Sequence, residues 1–297
     1  MSEPTPLAGG FKVGRQPARD LWIGRAFKAL LVFSLAVGIV TLGALVVQVV
    51  AKGSPRLNLD LLANFPSSSP ELAGAQSAIF GTLWLMGLTA LISIPLGVGA
   101  AIYLEEYADT ERWYNRMIEV NIQNLAAVPS IVYGILGLAF IARGIGLGRV
   151  VLAGAITLSL LVLPTVIIAA REAIRAVPSS IREGSLALGA TQWQTTRRQV
   201  LPAAIPGIAT GSILALSRAI GETAPLVLLG ALTFVTFNPS GPDSAFTALP
   251  IQIFGWIVRP QEEFKVLAAA AIVVLLVMLL AMNAGAIWLR NRYQRRW

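Results

Sequence analysis

The sequence has no cysteine and no histidine. Disulfide scaffolds, thiolate nucleophiles, imidazole bases, Ser-His-Asp triads and ordinary zinc sites are therefore excluded. Charge is also scarce. Only 13% of the 297 residues are Asp, Glu, Lys or Arg, about half the share found in soluble domains. A soluble globule of this size could not cover its surface with so few. No G-x-x-x-x-G-K-[ST] run occurs, so the chain does not split ATP in a P-loop. Hydrophobic residues make up 56% of the chain, which points to an all-α integral membrane protein. The net charge of +8 would suggest nucleic acid for a soluble protein. Here it reflects cationic loops on one side of a bilayer, and no nucleic-acid partner is expected.

A spanning helix needs about 20 apolar residues. Uncharged stretches at 29–51, 72–104, 120–142, 150–170 and 266–289 meet that length, and a sixth, 203–237, is interrupted only by Arg218 and Glu222. The expected architecture is a polytopic bundle of about six transmembrane helices in one membrane domain, 29–289. Lys and Arg set its orientation. Alternate connections (1–28, 105–119, 171–202 and the C-terminus) carry sixteen of them, against six on the other side. The 1–28 tail, the 171–202 loop and the basic 290–297 tail are thus expected in the cytoplasm. The first apolar run is about twice the length of a signal-peptide core and no A-x-A site lies shortly after it, so it reads as an uncleaved span. The outer loops 52–71 and 238–264, rich in Pro, Ser and Asn, read as surface connections.

The 171–202 loop reads as two short helices. Pro178 suits a turn before a helix. Ser180 and Glu183 have capping-box spacing, which predicts a start at Ile181. Gly189 is placed for a left-handed stop. Thr191 and Gln194 repeat the box, and Pro202 bounds the second helix. From these residues alone the loop is either an amphipathic connector on the headgroups or a docking surface for another protein.

Arg218 and Glu222 are four residues apart, on one face of a continuous helix. A start near Ala203 puts Arg218 about 22 Å along the axis, deep enough that its charge must face protein or water. Gly207, Gly211, Ala215, Gly221 and Pro225 share its side, so another backbone can approach there. Two readings stay open: a static pair that fixes register, and a transient anion contact using the guanidinium's planar fork of donors. In the second, Glu222 keeps the grip weak enough for release.

The run Glu183-Gly184-Ser185-Leu186-Ala187-Leu188-Gly189-Ala190, followed by Leu201-Pro202, resembles the "EAA" motif of ABC-importer permeases, with a departure at Gly184-Ser185. Arg218-Ala-Ile-Gly-Glu-Thr-Ala-Pro225, Pro129-Ser-Ile-Val-Tyr-Gly134, Ile94-Pro95-Leu96-Gly97 and Tyr103-Leu104-Glu105-Glu106-Tyr107 are similar to segments of phosphate-specific importer permeases of the PstA type. That resemblance implies a type I ABC-importer permease bundle that is not itself an enzyme. It implies a heterodimer with a PstC-type sister permease, two ATPase subunits carrying ATP and Mg, and an extracytoplasmic phosphate-binding protein. This chain would hold no cofactor and no metal. Residues 183–190 would dock the ATPase. Arg218, Glu222 and Thr223 would line the pathway. Arg171 would be either an anion contact at the inner mouth or a positive-inside anchor. The alternatives are a permease for molybdate, sulfate or phosphonate, and an ion-coupled secondary transporter, which is disfavoured because such folds often show internal repeats and broken helices, neither evident in the sequence.

Overall fold

Inside a bilayer the backbone must satisfy itself, so apolar runs become helices. The structure, a computed structural model, describes residues 18–109, 111–231 and 234–293. Parts of both expected tails, 1–17 and 294–297, lie outside the described residues. The elements are α1 (Ala18–Gly53), α2 (Leu59–Ala63), α3 (Gln76–Ile102), α4 (Trp113–Ala126), α5 (Ser130–Leu136), α6 (Val151–Arg175), α7 (Ser179–Ala187), α8 (Gln192–Thr195), α9 (Leu201–Ala219), α10 (Ala224–Leu229), α11 (Leu249–Ile257) and α12 (Glu262–Tyr293). Among the described residues no strand occurs, only a bridge between Val150 and Ala245. Residues up to Gln48 form one unit and those from Val49 onward a second; the packing described below lies within the second.

Among the described residues five helices are long and apolar enough to span, and a sixth span results if the bent pair of α4 and α5 counts as one. The structure corrects two expected spans. The 120–142 run is not a single helix: α4 and α5 meet at a bend of 103°. Pro129 has no N–H for the carbonyl of Leu125 and holds Val128 out of helical conformation. The Tyr133 hydroxyl donates to that carbonyl instead, at 2.8 Å. The 203–237 run is also broken. α9 stops at Ala219 and α10 starts at Ala224, because Pro225 offers no N–H to Gly221; the Thr223 hydroxyl turns to that carbonyl at 3.4 Å. Broken helices, expected to be absent, are present.

The two broken segments pack on each other. A Cβ at Gly134 would lie 2.6 Å from the Pro225 Cα, so only glycine allows this approach. The small-residue stripe also behaves as expected. A Cβ at Gly207 would lie 2.7 Å from that of Ala173, and one at Gly211 would overlap that of Ala169, so α9 lies backbone-close along α6.

The 238–264 connection is not merely a surface loop. Its sequence holds Phe246, Leu249, Ile251 and Trp256, all nearly fully buried. Its backbone caps α6, with Val151 and Leu152 amides donating to Ser244 and Pro242 carbonyls at 3.0 and 2.9 Å. In the 52–71 loop Asn58 caps α2 and Leu61 is buried. At the other end of the bundle a core of Ala101, Ile174, Val177, Val200 and Ala204 underlies the 171–202 connection.

Candidate functional site

Because α9 ends at Ala219, Arg218 sits in its last turn, where a cation complements the carbonyl end of the helix. Its Nε is 3.6 Å from Glu222 Oε1, so the expected pair forms, but across a helix end and not along a helix face. Nor is the pair buried as a unit. The Arg218 side chain is 67% exposed and that of Glu222 17%. Among the described residues the Arg218 guanidinium makes no hydrogen bond, which leaves its donors free. Beside it lies a cleft lined by Ala126, Val128, Thr165 and Ala219, where the α4–α5 bend meets α6 and α9. At about 10 Å³ it has room for roughly one water. A tetrahedral oxyanion does not fit inside it, so an anion at Arg218 would sit on the exposed side. Thr223 is half-buried and bonded to the break itself.

Arg171 is quite different. Its side chain is 10% exposed, Nη1 meets Glu119 Oε1 at 2.9 Å, and Nε lies 3.5 Å from Glu105 Oε2. Of its two expected roles, burial between two carboxylates disfavours the anion contact. Arg175 joins the same group, with Nε and Nη2 each 3.0 Å from the two Glu105 oxygens. Glu106, next in sequence, receives Arg182. Sequence reasoning missed Glu119, Arg175 and Arg182, and assigned Glu105 and Glu106 no role. The only available signal was two carboxylates just past the end of an apolar run, where the wide turn Tyr103–Tyr107 closes α3.

The loop keeps its expected two-helix form, with two corrections. α7 begins at Ser179 because Pro178 is its N-cap; Ser180 then falls inside the first turn and the Ser180–Glu183 box does not form. The Thr191–Gln194 box does form. Pro202 does not bound the second helix. α8 runs through the wide turn Thr196–Val200 into α9, giving continuous helix over Gln192–Ala219. Pro202 is tolerated because it enters in the first turn of α9. Gly189 has φ +84°, the left-handed stop. Glu183, Gly184, Leu186, Ala187 and Leu188 are exposed, Leu188 at 91%, while Ser185 and Ala190 are half-buried. Ser185 Oγ meets Thr195 Oγ1 at 2.8 Å, locking α7 onto α8. A groove of about 430 Å³ runs along Ile181, Gly184, Ser185, Leu188, Gln194 and Arg198. The exposed Leu188 and this groove lie together on the open side of the loop.

This architecture, a helical bundle with broken half-helices and an exposed two-helix connection, has solved counterparts among transporter subunits. The bundle superposes on a chain of a bacterial alginate ABC transporter, in complex with a pentasaccharide-bound periplasmic protein, with a TM-score of 0.65 over 95% of this chain and 99% of that one at 17% identity. A chain of the MetNI methionine ABC transporter, inward facing, gives 0.58 over 73% and 95% at 17% identity. At such identities the likeness concerns the fold, that of type I ABC-importer permeases. The chain belongs to the family of binding-protein-dependent transport system inner membrane components, whose sequence model matches residues 93–296. It is 35% identical to the phosphate transport system permease protein PstA 1 of Mycobacterium tuberculosis (strain CDC 1551 / Oshkosh), over 75% of this chain and 72% of that one. It is 32% identical to PstA of Haemophilus influenzae, over 84% and 87%. A probable ABC transporter permease of Bacillus subtilis, YqgI, is 32% identical over 81% and 86%. The secondary-transporter alternative falls with the family assignment.

Proposed function

We propose that this chain is the permease subunit of an ATP-driven inorganic phosphate importer, forming half of the pathway and coupled to a separate ATPase. The observation that supports it is the contrast between two arginines. Arg171 is buried between two carboxylates, whereas Arg218 is exposed and keeps its donors free at a break in the bundle, with Glu222 near enough to weaken its grip. Thr223 adds a hydroxyl beside them. The cleft is too small to enclose an anion, which favours a site completed by the sister permease across the exposed face of Arg218. The phosphate transport named in the PstA relatives supports the choice of anion.

In this reading 29–289 is a single transmembrane domain with both termini cytoplasmic, and α7 docks the ATPase through residues 183–190. The full assembly holds a PstC-type sister, two ATPase subunits with ATP and Mg, and an extracytoplasmic phosphate-binding protein. Phosphate is delivered at the outer loops, ATP closes the ATPase pair, and α7 passes that motion to the bundle. The cavity opens outward, phosphate passes Arg218, and hydrolysis resets the inward-facing state. This chain moves the solute and catalyses nothing itself.

A second reading is import of another oxyanion, since the fold alone does not fix the solute: its neighbours are methionine and alginate transporters. Competition separates the two. In cells whose only high-affinity phosphate uptake is this complex, unlabelled phosphate is expected to displace labelled phosphate, with equal concentrations of molybdate, sulfate or phosphonate leaving uptake unchanged. Equal displacement by one of those would reassign the substrate.

A further inference from the structure

The end of α3 carries two neighbouring carboxylates that are held by different parts of the chain. Glu105 is gripped by Arg171 and Arg175 of α6. Glu106, whose side chain is 6% exposed, is gripped by Arg182 of α7. Arg182 spends nearly its whole fork on this contact. Nε and Nη2 donate to Glu106 Oε1 at 3.0 and 2.8 Å, Nη2 also to the carbonyl of Ile174 at 2.9 Å, and Nη1 to the carbonyl of Val177 at 2.6 Å. The two carbonyls belong to the end of α6 and the turn beyond it. From the far side of the loop the Gln192 side-chain amide donates to the main-chain carbonyl of Glu106. Arg182 and Leu186 line a cavity separate from the groove along Ile181, Gly184 and Leu188. The grip on α3 and the exposed docking surface are therefore different sides of one short helix.

We infer that the Arg182–Glu106 pair is the joint through which α7 drives α3, distinct from the surface that binds the ATPase. This rests on the docking role proposed above. Along the chain, α7 connects directly only to α6 and, through α8, to α9. α3 is remote in sequence, and among the described residues the pair is the direct ion pair between it and α7. Through this guanidinium a displacement of α7 acts directly on the end of α3, beside the indirect route through α6, whose Arg171 and Arg175 hold Glu105. Arg182 is thus a positioning residue whose loss separates ATP hydrolysis from transport. A lysine there keeps the charge but cannot meet the carboxylate and two carbonyls at once.

The test uses the complete complex in proteoliposomes, with solute uptake and ATP hydrolysis measured on the same preparation. Arg182→Lys and Glu106→Gln are expected to copurify with the ATPase at wild-type stoichiometry and to lower uptake per ATP by about tenfold, a usual size for a lost coupling between sites. An unchanged ratio would overturn the inference. So would loss of the ATPase from the complex, since Arg182 would then only shape the docking surface. This chain has no cysteine of its own, which permits a rescue in a cysteine-free complex. Glu106→Cys combined with Arg182→Cys should be uncoupled until a short bis-thiosulfonate links the two positions, and should then recover. Failure to recover after complete linking would contradict the joint, and this arm decides if the single variants assemble poorly. The ratio is read with whichever anion the wild-type complex imports. An error in the phosphate assignment appears as absent wild-type phosphate uptake, whereas an error about the joint appears as an unaltered ratio.

Discussion

Arg218→Gln is expected to lower phosphate uptake by about a hundredfold or more, the scale of losing one donor aimed at an oxyanion in a preorganised site, while the complex assembles normally. The structure explains why function and stability separate here. The side chain is two-thirds exposed, makes no hydrogen bond among the described residues, and has its one ion pair at 3.6 Å. Exposed pairs contribute about 0–1 kcal/mol, and Gly207, Gly211 and Ala215, which hold α9 on α6, are untouched. Glutamine retains a polar tip but is shorter and loses the charge that offsets a dianion's desolvation. Arg218→Lys is the informative control, since it keeps the charge without the fork and should fall between the two. Uptake into proteoliposomes, with ATPase stoichiometry from the same purification, reads both quantities. Normal uptake by Arg218→Gln would remove the residue from the pathway.

Gly189→Val is expected to release the ATPase, by a backbone effect and not by crowding. A Cβ at Gly189 meets nothing within 4 Å, but its φ is +84°, where a β-branched residue is a strong outlier. The left-handed conformation costs a non-glycine residue roughly 1–2 kcal/mol, and valine relieves it by unwinding the end of α7. Leu188 and Ala190, which flank the turn, would then leave the groove they help line. Gly184 is the matched control. A Cβ there would also meet open space, but the backbone is helical, so Gly184→Ala should stiffen α7 by about 1 kcal/mol and leave binding intact. Copurification of ATPase with each variant measures the difference. Wild-type stoichiometry in Gly189→Val would count against docking through this turn.

Features set by a few adjacent residues were legible in the sequence. The apolar runs marked the long helices, the glycine stripe of α9 predicted its close approach, and Gly189 with Thr191–Gln194 defined the second half of the loop. The helix breaks were not legible, because a proline alone does not decide one. Pro95, Pro164 and Pro206 lie inside intact helices, while Pro129 and Pro225 stand at the starts of α5 and α10, just beyond the breaks. At the two breaks a hydroxyl, from Tyr133 or Thr223, donates to the carbonyl that the proline has no N–H to serve, and Gly134 lets the broken halves dock. The Ser180–Glu183 box failed for a local reason that competed with it, since Pro178 starts the helix too early. The carboxylate–arginine network could not be read at all. Its partners are 52 to 76 residues apart, and no periodicity links residues at that distance.

The proposed function requires the end of α9 to border water along the solute's route. Because the chain lacks cysteine, Arg218→Cys in a cysteine-free complex gives a single reporter. Its reaction with a charged, membrane-impermeant thiosulfonate can be followed through the nucleotide cycle. Labelling is expected in at least one state, slowed when phosphate-loaded binding protein is supplied. A thiol that stays unreactive in the resting, ATP-bound and hydrolysing states alike would mean that Arg218 does not line the pathway.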